Sequence, residues 1–230
     1  MEFITHTFNT NIIICEQDTE EVPSILKGYT FDYIKTERSD GLIHRTRQLN
    51  IMAHASKTPY IANYDADVLM KPKQYIDGME LLRKNEASIV IPYAGPFWDV
   101  NTEHHNRIMN EKSVDFIDDP KKFGGLMNKN SVGGVILWDR EHFINGGMEN
   151  EKFISWGFED NERFIRFRTL GYELKRTDGI LLHLNHHRTS NSNHKHKFYH
   201  NNLNEYNRIR SLDKVHIRQE VNSWKWCNGP

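Results

Sequence analysis

Three groups of residues in this 230-residue chain carry side chains that could do chemistry. The first is Asp65-Ala66-Asp67, directly after the apolar run 59–64. Hard carboxylate oxygens suit magnesium or manganese, particularly an ion shared with phosphate oxygens. Alternate residues of a strand project to the same side, so the two aspartates are expected to converge on one ion. By itself the triplet also describes a turn capped by aspartate. The second group is His183-Leu184-Asn185-His186-His187, after the apolar Ile180-Leu181-Leu182. Imidazole joins carboxylates around manganese. Residues three apart face opposite ways in a strand, so His183 and His186 share an ion only if the chain bends, and Asn185 permits that. The later His194, His196 and His200 read as a solvated surface run. The third group is Ser155-Trp156-Gly157-Phe158-Glu159-Asp160-Asn161-Glu162. Its two adjacent acids open a helical pattern of Phe164, Ile165, Phe167 and Leu170 that Gly171 ends. Acids in a first turn are ordinary, because the helix dipole favours them there. A Trp-Gly pair directly before them is less so.

These groups need a frame that holds them. Strand patterns at 11–16, 29–35, 59–64 and 87–92 alternate with helical patterns at 20–27 (weak), 42–56 and 72–85. That alternation predicts an α/β fold, a mostly parallel central sheet flanked by helices, in which ligands lie at the carboxyl ends of strands. From 94 to 131 the pattern fades into Gly, Pro, Asn and charged residues around Trp98 and His104-His105, and is expected to form a long functional loop. A strand opened by Gly133-Gly134 follows, then a short helix capped by Asp139, then strands at 172–176 and 179–184. Tyr199, Leu203, Tyr206 and Ile209 recur at helical spacing and predict a C-terminal helix packed on the sheet.

Composition sets the outer bounds. With 37% hydrophobic and 27% charged residues the chain can bury one sizeable core, and a single domain over 1–230 is expected. A net charge of −1 gives no global attraction to nucleic acid or an anionic membrane. Two cysteines, Cys15 and Cys227, are too few for a disulfide framework and predict a reducing, cytoplasmic setting. No run of about 18 apolar residues occurs, so no transmembrane segment is expected. Oligomeric state is not readable.

Asp65-Ala66-Asp67, Gly133-Gly134-Val135, Trp156-Gly157-Phe158-Glu159-Asp160 and His183-Leu184-Asn185-His186, in that order, resemble the GT-A glycosyltransferases. Over residues 10–190 the chain is most similar to the beta-1,4-galactosyltransferase group and related bacterial capsule and chondroitin-type transferases. The resemblance implies a nucleotide-binding half over 1–95 and an acceptor-binding, catalytic half with a C-terminal helix over 96–230. It implies a metal-dependent inverting enzyme that moves galactose, an N-acetylhexosamine or a similar sugar from a UDP-sugar to a glycan hydroxyl in polysaccharide synthesis. The cofactor would be Mn2+ or Mg2+. Asp67, His183 and His186 would hold the ion; in the relatives the first of the two histidine positions is sometimes Met. Asp65 would lie near the nucleotide ribose or its metal, and Arg45 near the nucleotide. Gly133 and Gly134 would let backbone approach the sugar, and Glu159 and Trp156 would orient acceptor and donor sugar. Asp160 would be the base, a carboxylate with a modestly raised pKa; retaining relatives usually have Asn there. Phe158 stands where the galactosyltransferases have Gly. A non-catalytic carbohydrate- or nucleotide-binding protein on the same fold is the alternative, told apart by absence of turnover.

Overall fold

The computed structural model describes residues 2–17, 26–37, 42–187 and 195–228. Most of the helix expected at 20–27 lies outside them, as does His194. The chain divides into two compact units, each assembled from separated stretches.

The first unit comprises Met1–Thr10, Ala62–Trp138 and Glu173–His187. It begins with α1 (Glu2–Thr7), whose Phe3 packs near Tyr75. One sheet runs β4 (Val68–Leu69), β10 (Leu181–Leu184), β6 (Phe97–Val100), β7 (Gly124–Asn128). The other runs β3 (Tyr60–Tyr64), β8 (Val135–Asp139), β5 (Ile89–Ile91), β9 (Leu174–Arg176), with β3 entering from the stretch before residue 62. Both sheets are mixed: β10 is parallel to β6 but antiparallel to β4, β6 is antiparallel to β7, and β5 is parallel to β9 but antiparallel to β8. The expected mostly parallel sheet is therefore corrected. One of the antiparallel pairs lies in 94–131, which is no open loop but holds β6, β7 and the helix α4 (His105–Glu111). An antiparallel partner forms there because Gly124 lets β7 press onto β6. A Cβ on it would sit 1.7 Å from the Asp99 carbonyl oxygen, so no other residue fits without moving the strand.

Burial explains the remaining strands. Val68, Leu69, Val90, Ile91, Val135, Leu137, Leu181 and Leu182 are all buried, and each such side chain contributes about 1.5–3 kcal/mol relative to exposure. The helix α3 (Pro72–Arg83) starts at Pro72 and packs on β5. Gln74 on its first turn reaches the carbonyls of Pro92 (2.9 Å) and Ile180 (3.1 Å), tying the helix to both sheets.

The second unit comprises Asn11–Ile61, Asp139–Tyr172 and Arg188–Pro230. It contains the parallel pair β1 (Ile13–Gln17) and β2 (Asp32–Thr36), α2 (Arg45–Ala55), α5 (Arg140–Asn145), α6 (Glu159–Leu170), α7 (Tyr199–Arg210) and α8 (Lys214–Ser223). Asp139 caps α5 by accepting from His142 N–H at 2.9 Å. The C-terminal helix α7 lies along α6, where the sequence placed it on a sheet. Leu170, Ile209, Ile217, Val221 and Trp224 form the apolar cluster among α6, α7 and α8. The buried face of α6 is not the one its apolar spacing indicates. Glu162, Arg163 and Arg166 are buried with Phe167 and Leu170, whereas Phe164 and Ile165 are only partly covered. The charges are tolerated because each is paired: Arg166 bonds Glu162 at 2.7 Å and the Gly146 and Met148 carbonyls. Among the described residues no helix is long and apolar enough to cross a membrane.

Candidate active site

Strand pairing in the first unit builds a compact donor cluster. Beyond β3 the chain turns, with Asp65 C=O accepting from Val68 N–H at 3.2 Å, and then enters β4. Because residues 65–67 form a turn and not a continued strand, the two-residue alternation is lost, and Asp67 joins the cluster without Asp65. β10 runs beside β4 with His183 opposite Val68, and Leu184 N–H donates to the Asp67 carbonyl at 2.8 Å. His186 follows after the strand ends at Leu184. Asp67 Oδ2 is 3.0 Å from His186 Nε2 and 3.5 Å from His183 Nε2, and the three donor atoms lie within 4.8 Å of one another.

The arrangement of protons fits a metal site. His183 Nδ1 lies 2.5 Å from Asp99 Oδ1, and His186 Nδ1 lies 3.0 Å from the His187 carbonyl oxygen. Each neutral imidazole therefore donates through Nδ1 and keeps its Nε2 lone pair for an ion. One carboxylate and two imidazoles would leave open positions around an ion, and imidazole nitrogens suit a transition metal better than magnesium. Without an ion the charges compensate. Burial pushes Asp67 up, but His183 and His186 outweigh it and hold the carboxyl below its ordinary range. Burial pulls His183 down, but Asp67 and Asp99 hold it above.

Gly133 and Gly134 lie in the same unit. The Gly133 carbonyl accepts from Tyr93 O–H at 2.6 Å, and the Gly134 carbonyl from Asp65 N–H at 2.8 Å. Gly134 has φ +81°, and a Cβ there would meet Leu181 Cδ2 at 2.6 Å, so strand packing already demands this glycine.

In the second unit the acids sit behind a tightly wound turn. Ser155, Gly157 and Phe158 all have left-handed φ, of 65°, 111° and 70°. For Phe158 this conformation is costly, and its ring is held between Tyr206, stacked at 5.6 Å, and Tyr199 at 5.2 Å. The Trp156 carbonyl accepts from His196 Nε2 at 2.6 Å and Asn202 Nδ2 at 3.2 Å, while the Trp156 residue is 40% exposed. His196 is thus a buried brace, not the solvated residue expected. Glu159 accepts from Gly157 N–H at 2.8 Å and lies 3.5 Å from Arg45 Nη1, which also approaches Asp160 at 3.8 Å. Arg45, expected near the nucleotide, here faces the acid pair.

The two acids differ in charge state. Burial, with Asp160 beside it, pushes Glu159 up. Burial acts the same way on Asp160, but Arg163 and Arg45 outweigh it and hold the carboxyl below its ordinary range. The raised pKa expected of Asp160 belongs to its neighbour. Asp160 stays ionised, and its side chain is 28% exposed against 8% for Glu159. Sequence reasoning missed Asp99, Arg163 and Glu149, and saw in Asn185 only a residue that permits the bend, not its bond to Asp99. Only the apolar Phe97, Trp98 and Val100 around Asp99 hinted at a strand.

An acid-ended strand, a Trp-Gly-aromatic-Glu-Asp helix start and a histidine cluster, in this order on a mixed α/β frame, resemble those of glycosyltransferases of the GT-A type. Residues 122–197 match the family described as "N-terminal domain of galactosyltransferase". Among curated proteins the chain resembles beta-1,4-galactosyltransferase 7. It is 44% identical to the Drosophila melanogaster protein over 52 residues, 22% of this chain and 16% of that protein. It is 26% identical to the Homo sapiens protein over 151 residues, 64% of this chain and 37% of that one. The chain thus spans well under half the length of these relatives. Among solved structures, the Drosophila beta-1,4-galactosyltransferase 7 catalytic domain with xylobiose aligns at TM-score 0.44 and 19% identity, over 95% of this chain and 82% of that one. A mutant of the same enzyme with manganese, UDP-Gal and xylobiose aligns at TM-score 0.42 and 22% identity, over 83% and 71%.

Proposed function

We propose that this chain is a metal-dependent, inverting glycosyltransferase that moves a sugar from a UDP-sugar to a hydroxyl of a glycan. The observation that carries the reading is the meeting of Asp67, His183 and His186, drawn from chain positions more than a hundred residues apart. The matched family and the curated relatives support it, and their name makes galactose the first donor to test.

Asp67, His183 and His186 would hold manganese, which when bound supplies the positive charge that a departing diphosphate requires. Asp160 is the residue assigned to accept the proton of the attacking hydroxyl. It is ionised and the more exposed of the two acids, and such a base is typically worth about 10²- to 10⁴-fold in rate. Glu159 holds the Trp156-Gly157 turn through Gly157 N–H, and Trp156 offers the acceptor or donor sugar an exposed aromatic face. A single base acting on the acceptor implies attack opposite the leaving group and inversion at the anomeric carbon. Asp65, Arg45, Gly133 and Gly134 are retained as donor-binding candidates.

Calorimetric titration of UDP into the protein, with manganese and then with EDTA, tests the reading. Binding that requires manganese and is lost in Asp67→Asn is the expected result. Absence of UDP binding in both conditions would overturn it.

A further inference from the structure

β10 lies between β4 and β6, so His183 has a neighbour on each side: Val68 on β4 and Asp99 on β6. The two oxygens of Asp99 are engaged separately. Oδ1 lies 2.5 Å from His183 Nδ1, and Oδ2 accepts from Asn185 Nδ2. An ionised carboxylate only accepts, so a neutral His183 keeps its proton on Nδ1 and its lone pair on Nε2, the atom 3.5 Å from Asp67. Asn185 is the residue at which the chain leaves β10. Its backbone N–H donates to the Val100 carbonyl at 3.1 Å, so the bend is fastened to β6 through backbone and side chain alike. That bend carries His186 to within 3.0 Å of Asp67.

We propose that Asp99 is a positioning residue of the metal site, one carboxylate oxygen setting the ring of His183 and the other setting the bend that delivers His186. The inference rests on reading Asp67, His183 and His186 as metal ligands. A carboxylate that accepts from the far nitrogen of a ligating imidazole fixes its tautomer and orientation, and losing such a partner typically costs about 10- to 100-fold in metal affinity. Here a single carboxylate serves two ligands, so its removal should cost more than removal of Asn185. Asn185 contributes through His186 alone.

The test uses the full chain and manganese alone, with the free ion followed by electron paramagnetic resonance. Asp99→Ala is expected to weaken binding by about 10- to 100-fold. Asp99→Asn, which retains an acceptor oxygen for His183, is expected to recover part of that loss. Asn185→Ala should weaken binding less, and should cost nothing further once His186→Ala is present. A second readout needs no metal: ring-nitrogen NMR of the wild-type protein in alkaline buffer should find the His183 proton on Nδ1, and Asp99→Ala should spread it over both nitrogens. If Asp99→Ala fails to fold, the asparagine variant and the wild-type tautomer still decide. Wild-type affinity in both Asp99 variants, or a wild-type proton on Nε2, overturns the role of Asp99 and leaves the ligand assignment standing. Failure of the wild-type protein to bind manganese, or unchanged binding in His183→Ala, removes the metal site itself and this inference with it.

Discussion

Arg163 bonds Glu149 at 2.5 Å with both side chains almost excluded from solvent, and its second terminal nitrogen reaches Asp160 at 2.5 Å. One guanidinium therefore joins the interior of the second unit to the acid assigned as base. Glu149→Ala would leave that buried cation with Asp160 alone, a partner whose side chain is partly open to solvent. Breaking a buried pair from one side typically costs about 3–5 kcal/mol, so the urea midpoint should fall sharply. A midpoint equal to the parent's would show that the pair contributes nothing.

Asp160→Asn keeps the size of the side chain and removes its capacity to take a proton. Transfer should drop by about 10²- to 10⁴-fold while manganese-dependent UDP binding is retained. Steady-state turnover beside calorimetry of the same preparation separates the two effects; a variant that keeps most of its turnover would refute the assignment.

Acid stability provides a further check in the second unit. Glu220 accepts from Arg208, and with Lys152 and Trp224 also bonded to it the carboxyl is held down from 4.5 to about 2, against a smaller upward push from burial. The folded value lies below the unfolded one, so the unfolded chain takes up the proton first as pH falls. The contribution of Glu220 is complete above its unfolded value of 4.5 and disappears as pH drops through about 2. Glu220→Gln should flatten the loss of stability across that window, modestly, since Arg208 and Lys152 are largely exposed. Urea midpoints measured at several acidic pH values test this, and an acid limb as steep as the parent's would contradict it.

Gly134→Ala combines a left-handed φ with a 2.6 Å approach to Leu181 Cδ2. The conformational part alone costs roughly 1–2 kcal/mol, which for a chain of this size lowers Tm by about 2–8 °C. Leu181→Ala in the same chain should relieve the steric part, so the double variant should lose less than the sum of the singles. Strict additivity in thermal unfolding would count against this packing account.

What could be read from the chain was what is encoded locally. Pro72 and Gly171 announce a helix start and a helix end, Asp139 announces a cap, and the structure has all three where the spacing put them. β6 and β7 carry no such mark. Gly124-Gly125 and the surrounding asparagines have the composition of a loop, and they become strand only through pairing with β10 and each other. That omission hid the antiparallel β6–β7 pair, while the antiparallel β4–β10 and β5–β8 pairs are long-range pairings that local spacing does not mark. In the cluster, Asp67, His183 and His186 were visible because strand-end acids and histidines are recognisable by type. Asp99 was not, because its partner lies 84 residues away and only the β6–β10 register brings the two together. The inward face of α6 was misjudged for a different reason: hydrophobic periodicity cannot detect arginines and glutamates that are buried as pairs.

The central place of β10 ties the chemistry of the first unit to its alignment. Side chains alternate along a strand, so sliding β10 by a single residue would turn the imidazole of His183 to the opposite face and bring Leu182 or Leu184 into its position. Asp67 and Asp99 would then both confront an aliphatic side chain. Apolar packing alone would penalise such a slip only weakly, because Leu181, Leu182 and Leu184 are nearly interchangeable. The two aspartates discriminate where the leucines cannot, and so act as the index marks by which this strand finds its one correct alignment.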